Sequence, residues 1–82
     1  MVKAVFDSSF RKKFSKIKDK LLKEKIIKQI DKLRNNPEAG KPMRYSRKGT
    51  RELYIEPFRL SYVYRIEDDL IEFLDLYHKD EQ

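Results

Sequence analysis

Two residues of this chain pair the chemistry of phosphate binding with that of proton transfer. They are Arg59, in an alternating apolar stretch, and His78, its one histidine, near the C-terminus. Arginine presents a planar, permanently charged fork that fits two phosphate oxygens at once. Histidine gains or loses a proton near neutral pH. With a carboxylate such as Glu52, these are parts for cutting RNA without a metal, when the 2′-hydroxyl of the RNA attacks the adjacent phosphate. Such a cut needs a base for the hydroxyl, a cation for the crowded phosphorane and an acid for the departing 5′ oxygen. Arg59 suits the cation, with Lys79, Arg65 or Lys48 assisting. His78 suits the acid or the base, and Glu52 the complementary role. Tyr77 suits stacking on a base or donating its hydroxyl, and Arg47 and Arg51 join Lys48, Arg65 and Tyr77 as expected RNA contacts.

Each of these residues also fits a plainer role. Arg59 beside Glu52 or Glu56 makes a cross-strand pair worth a few tenths to about 1 kcal/mol. His78 at a strand end suits a surface histidine. Tyr45, Tyr54, Tyr62 and Tyr64 suit core or edge packing more than base-stacking platforms, and the many lysines suit a solvated helix face more than a groove reader.

The elements that must position these residues are legible as periodicities. From Phe58 to Ile66, Phe58, Leu60, Tyr62, Tyr64 and Ile66 share one face of a strand, and Arg59, Ser61, Val63 and Arg65 share the other. Arg51 to Ile55 alternates likewise, with Leu53 and Ile55 opposed to Glu52 and Tyr54, and Glu56-Pro57 breaks it. Glu67-Asp68-Asp69 is a polar turn before a near-continuous apolar strand from Leu70 to Tyr77. Upstream, Val2 to Phe6 is a short strand, and Asp7-Ser8-Ser9 offers oxygens to cap a helix. Phe10, Phe14 and Ile17 then make one helical stripe. Leu22, Ile26, Ile30 and Leu33 make a second, widened by Leu21 and Ile27. Asn35-Asn36-Pro37 ends it, and a short strand is expected over Met43 to Ser46.

The loop between the two stripes is short, which predicts an antiparallel helix hairpin. The fold expected is α+β: an N-terminal strand, then the hairpin packed on one face of a small twisted antiparallel sheet of about four strands. The helices cover the Phe58-Leu60-Tyr62-Tyr64 side, so the other side presents Arg59, Ser61 and Arg65.

At 82 residues the chain is expected to be a single domain, residues 1 to 82. It has no cysteine, which removes disulfides, thiolate zinc sites and thiol nucleophiles and fits a reducing, cytoplasmic setting. One histidine is too few for a His-rich metal site, and two glycines are too few for a glycine-rich phosphate loop, so no metal and no cofactor are expected. No signal peptide or membrane span is expected either. The net charge of +6 is uneven. Residues 1 to 66 carry 19 Lys or Arg against 7 Asp or Glu, a balance of +12, and residues 67 to 82 carry one Lys against 7 acids, a balance of −6. Such a basic surface attracts RNA, DNA or an acidic protein, although lysine-rich surfaces also accompany thermal adaptation.

Three stretches carry a resemblance over residues 2 to 81. They are Asn36-Pro37-Glu38-Ala39-Gly40-Lys41-Pro42, then Arg51-Glu52-Leu53-Tyr54-Ile55 with Phe58-Arg59-Leu60-Ser61-Tyr62, and Leu76-Tyr77-His78-Lys79-Asp80-Glu81. With their order, the chain resembles the RelE/ParE superfamily of small toxins from type II toxin–antitoxin systems. The resemblance implies two helices on a twisted antiparallel sheet and a partner antitoxin that wraps the toxin; the +12 segment leads us to expect that antitoxin to be acidic. RelE-like members cleave mRNA in the ribosomal A site, whereas ParE-like members inhibit DNA gyrase and leave RNA intact. Arg59 matches the arginine that RelE-type nucleases set on the phosphate, and His78 or Lys79 falls where they place a terminal basic or acid–base residue. Thr50 and Glu52 stand where RelE has lysines, and the late catalytic tyrosine of RelE finds no counterpart among the residues up to Gln82; other nucleases of the superfamily use a Glu, Arg and His set. The resemblance therefore implies a ribosome-dependent mRNA endonuclease, with a gyrase inhibitor or a degenerate, antitoxin-binding toxin as alternatives.

Overall fold

Alternation over Lys3–Phe6 forms strand β1, and Asp7 turns the chain into helix α1, Ser8–Lys16, by accepting the Ser9 backbone N–H at 3.3 Å. These elements come from a computed structural model that describes residues 2–45, 49–78 and 80. The apolar stripe of α1 is aromatic. Phe10 lies 5.4 Å from Phe6 and 5.7 Å from Phe14 between ring centroids, and Phe6 stacks on Phe73 at 5.2 Å.

Asp19 caps helix α2, Lys20–Asn35, accepting the N–H groups of Leu21 and Leu22 at 3.0 and 3.2 Å. Ile26, Ile30 and Leu33 of its stripe are buried. Leu21 and Ile27, expected to widen the stripe, are instead 76% and 49% exposed, because the packed face is narrower than the full set of apolar residues. Lys23, early in α2, sits over the Phe14 ring late in α1, and Arg34 at the other end reaches the Val2 carbonyl, so the helices run antiparallel.

The α+β arrangement is the one expected, with the helices on one face of the sheet, and the sheet itself is mixed, one of its strand pairs being parallel. It has five strands in the order β1-β5-β4-β3-β2, with β2 Lys41–Pro42, β3 Arg51–Ile55, β4 Phe58–Arg65 and β5 Leu70–His78. The β2–β3, β3–β4 and β4–β5 pairs are antiparallel, but β1 lies parallel to β5, with Lys3 opposite Leu70 and Phe6 opposite Phe73. A parallel pair needs a long crossover, and nearly the whole chain separates these two strands. The short strand expected over Met43 to Ser46 is found earlier, at Lys41–Pro42, and Ser46 lies outside the described residues. Ile66 leaves the strand for a 3-10 turn, Ile66–Asp68, and is 69% exposed.

The helices cover the sheet face bearing Leu60, Tyr62, Ile71, Phe73 and Leu76, each fully buried. Burying a side chain of this kind stabilises the fold by roughly 1.5–3 kcal/mol. Phe73 and Leu76 share that face although three residues apart. The register slips between Ser61, opposite Asp75, and Tyr62, opposite Phe73, leaving Leu74 without a counterpart. This one-residue bulge reverses the alternation of the rest of β5. Among the described residues, no helix is long and apolar enough to cross a membrane.

Candidate functional site

The two-residue turn Glu56-Pro57 sets the register of the β3–β4 hairpin. Ile55 pairs with Phe58, so Tyr54 pairs with Arg59 and Glu52 with Ser61. Beyond the bulge, β5 places Tyr77 opposite Arg59. Residues directly opposite in an antiparallel pair share a face. The face away from the helices therefore carries a row Tyr54–Arg59–Tyr77 and, beside it, Glu52 and Ser61, with Lys41 of β2 opposite Glu52 at the rim.

Within this face the side chains differ sharply in exposure. Glu52 and Tyr77 are buried, at 5% and 8%. The Tyr77 hydroxyl donates to Glu52 Oε2, so the carboxylate is held by a charge-assisted hydrogen bond. Arg59 stands over this pair with its side chain 38% exposed. Its Nη1 lies 3.9 Å from Glu52 Oε1, an ion pair too long to be a hydrogen bond. Its guanidinium carbon sits 5.6 Å from the centroid of the Tyr54 ring, a cation–π arrangement. The Arg59 Nε has no hydrogen-bond partner among the described residues.

The other strand arginines are already engaged. Arg51 pairs with Tyr62 on the helix side, and its Nη1 donates to the carbonyls of Glu38 and Gly40 at 3.0 and 2.7 Å. Expected as an RNA contact, it ties the 36–42 loop to the sheet. Tyr62 completes that tie: its hydroxyl donates to the Pro37 carbonyl and accepts the Gly40 N–H, both at 2.8 Å. Burial pushes the Tyr62 phenol above its ordinary value of 10.0, against the opposing pull of the Gly40 N–H and the Arg51 charge. Arg65 shares the Arg59 face but lies three rows along, bonded to Glu72 at 3.1 Å.

His78 is not beside Arg59 on this face. It pairs with Phe58, its ring 5.9 Å from that of Phe58 in an edge-on contact, and its Nδ1 lies 3.5 Å from Asp80 Oδ2. Expected beside Arg59, His78 is instead set on the opposite face by the bulge, which brings Tyr77 to the arginine. Arg47, Lys48 and Lys79, also expected at the site, lie outside the described residues. Tyr54 and Lys41 were not singled out as site residues. Counting back from the Glu56-Pro57 turn identifies Tyr54, whereas Lys41 depends on a two-residue strand without a periodic signal.

The family model for the ParE toxin of type II toxin–antitoxin systems, parDE, matches residues 4–82. Among solved structures, the chain is similar to a YoeB/ParE toxin from Agrobacterium tumefaciens, with 20% identity over 93% of this chain and 96% of that one and a TM-score of 0.83. It is similar to a chain of the RelBE2 toxin–antitoxin complex from Mycobacterium tuberculosis, with 23% identity over 95% and 98% of the two chains and a TM-score of 0.82. A chain of the archaeal RelE–RelB complex from Pyrococcus horikoshii OT3 is 15% identical over 99% and 98%, with a TM-score of 0.79. At these identities the structural likeness establishes the fold. No curated protein sequence matches the chain significantly.

Proposed function

Because this chain belongs to the ParE toxin family of type II toxin–antitoxin systems, we propose that it is a toxin that stops translation by cutting mRNA on the ribosome, without a metal. Arg59 supports this reading most directly. It is the strand arginine whose side chain makes no hydrogen bond among the described residues, and it stands half-exposed on a helix-free face beside a buried carboxylate. A phosphate seated on its fork displaces only the loose contact to Glu52.

The neighbours supply proton transfer. Glu52 takes the proton of the attacking 2′-hydroxyl as the oxygen–phosphorus bond forms, and Arg59 stabilises the charge gathering on the phosphorane. Tyr77 gives its phenolic proton to the departing 5′ oxygen. The proton on Glu52 then passes to Tyr77 along their hydrogen bond, which restores both groups and leaves a 2′,3′-cyclic phosphate. The 5′ product leaves with that cyclic end and the 3′ product with a free hydroxyl. The partner that restrains this activity is an acidic antitoxin, matched to the excess of cations in residues 1 to 66.

The second reading, inhibition of DNA gyrase, is favoured by the ParE description of the family model. One experiment separates the two: purified toxin is added to ribosomes programmed with a defined mRNA and, in parallel, to gyrase with relaxed plasmid. The proposal expects new mRNA ends bearing 2′,3′-cyclic phosphate and unchanged supercoiling. Lost supercoiling with intact mRNA establishes the second reading. Neither effect identifies a toxin that only binds its antitoxin.

A further inference from the structure

We infer that Tyr54 is a stacking platform for a nucleobase next to the phosphate on Arg59, so the site grips single-stranded RNA by a base as well as by its backbone. This rests on the reading that Arg59 holds a phosphate. Tyr54 and Tyr77 flank Arg59 directly on the same face, one from each neighbouring strand. Tyr77 is buried and its hydroxyl is turned to Glu52, whereas Tyr54 is 49% exposed and has ring surface to offer. Tyr62 and Tyr64 belong to the helix side of β4. Tyr54 is thus the one exposed aromatic side chain beside Arg59 among the described residues.

The Arg59 guanidinium already lies over this ring at 5.6 Å, so a flat cation and a flat ring stand together at the point where phosphate charge is to be held. A strand whose phosphate meets the guanidinium brings its next base to the exposed part of the same ring. Stacking of this kind tolerates any base, because every base has a π-face. It strengthens binding to unpaired RNA and not to a closed duplex, whose bases are already stacked.

The test is the affinity of the purified protein for a fluorescent 2′-O-methyl oligouridine, which cannot be cut, and for the same chain made abasic. The wild type is expected to prefer the base-bearing strand by about 5- to 100-fold. Tyr54→Phe keeps that preference, and Tyr54→Leu abolishes it, binding both strands as the wild type binds the abasic one. Circular dichroism confirms that both variants fold. Preference retained in Tyr54→Leu overturns the inference. So does an equal loss on both strands, which means that the ring only supports Arg59. Arg59→Ala weakens both strands alike; if it changes neither, the phosphate reading itself fails and the stacking role falls with it.

Discussion

The Tyr77 hydroxyl donates to Glu52 Oε2 and so joins β5 to β3 across the intervening β4. The residue of β4 opposite Glu52 is Ser61, whose small side chain leaves the path open. The bond fixes a buried carboxylate 3.9 Å from the Arg59 guanidinium. Glu52 therefore tempers the charge of Arg59 without locking the fork, and an incoming phosphate has only a loose, partly solvated ion pair to replace.

Tyr77→Phe removes the donor and leaves the ring. The buried Glu52 carboxylate loses its charge-assisted bond, so the fold is expected to weaken by about 1–3 kcal/mol. Urea unfolding of the variant against the wild type measures this. An unchanged midpoint shows that the bond adds nothing to the folded state.

Glu52→Gln separates binding from cutting. The amide oxygen still accepts from Tyr77, so the fold is retained, and removing the negative charge beside Arg59 tightens the grip on RNA. Cleavage of ribosome-bound mRNA nevertheless falls on the order of 10²- to 10⁴-fold, because the base is gone. Binding and single-turnover cleavage measured on one preparation test the split. A variant that cuts at the wild-type rate removes Glu52 from the chemistry.

Tyr62 anchors the 36–42 loop, and its removal is expected to register in stability alone. Tyr62→Phe leaves the Pro37 carbonyl and the Gly40 N–H without their partner and costs about 1–3 kcal/mol. The pH dependence has a definite sign. The unfolded phenol ionises near 10.0, while the buried one holds its proton to higher pH. The unfolded chain thus loses its proton first, and the stability present below pH 10 declines as pH rises toward the folded value. Denaturation midpoints between pH 8 and 11 should show this decline in the wild type and a smaller one in Tyr62→Phe.

Gly40→Ala probes the same contact from the other side. A Cβ at Gly40 would collide with the Tyr62 hydroxyl and lie 2.7 Å from its Cε1, so the loop or the ring must shift. We expect a loss of roughly 1–3 kcal/mol. Tyr62→Phe does not relieve it, because the ring carbons remain in the way. A thermal melt of the single and double variants reads both effects, and rescue in the double variant contradicts this geometry.

Much of this architecture is written in the sequence as local pattern. Asp7 and Asp19 signal the two helix starts, and alternation over Arg51–Ile55 and Phe58–Arg65 sorts Glu52, Tyr54 and Arg59 onto one face. The parallel pairing of β1 with β5 was not legible, since no turn joins those strands to declare their direction. The bulge was hidden too. Strict alternation from Ile71 sends Tyr77 to the helix side and His78 to the face of Arg59, and a single extra residue at Leu74 exchanges the two. Apolar residues on both sides of β5 give no periodicity from which to detect the slip. Arg51 holds a place that its residue type does not announce. Its type suits phosphate, but its register opposite Tyr62 delivers it to the loop carbonyls.

The cleavage rate of Arg59→Ala on mRNA-programmed ribosomes, with wild type in parallel and RNA ends mapped by primer extension, bears most directly on the proposed chemistry. Loss of the cation that stabilises the phosphorane is expected to slow cleavage by about 10²- to 10³-fold at unchanged cut sites, with the protein still folded. Cleavage by Arg59→Ala within about threefold of the wild type contradicts the placement of the scissile phosphate on this face.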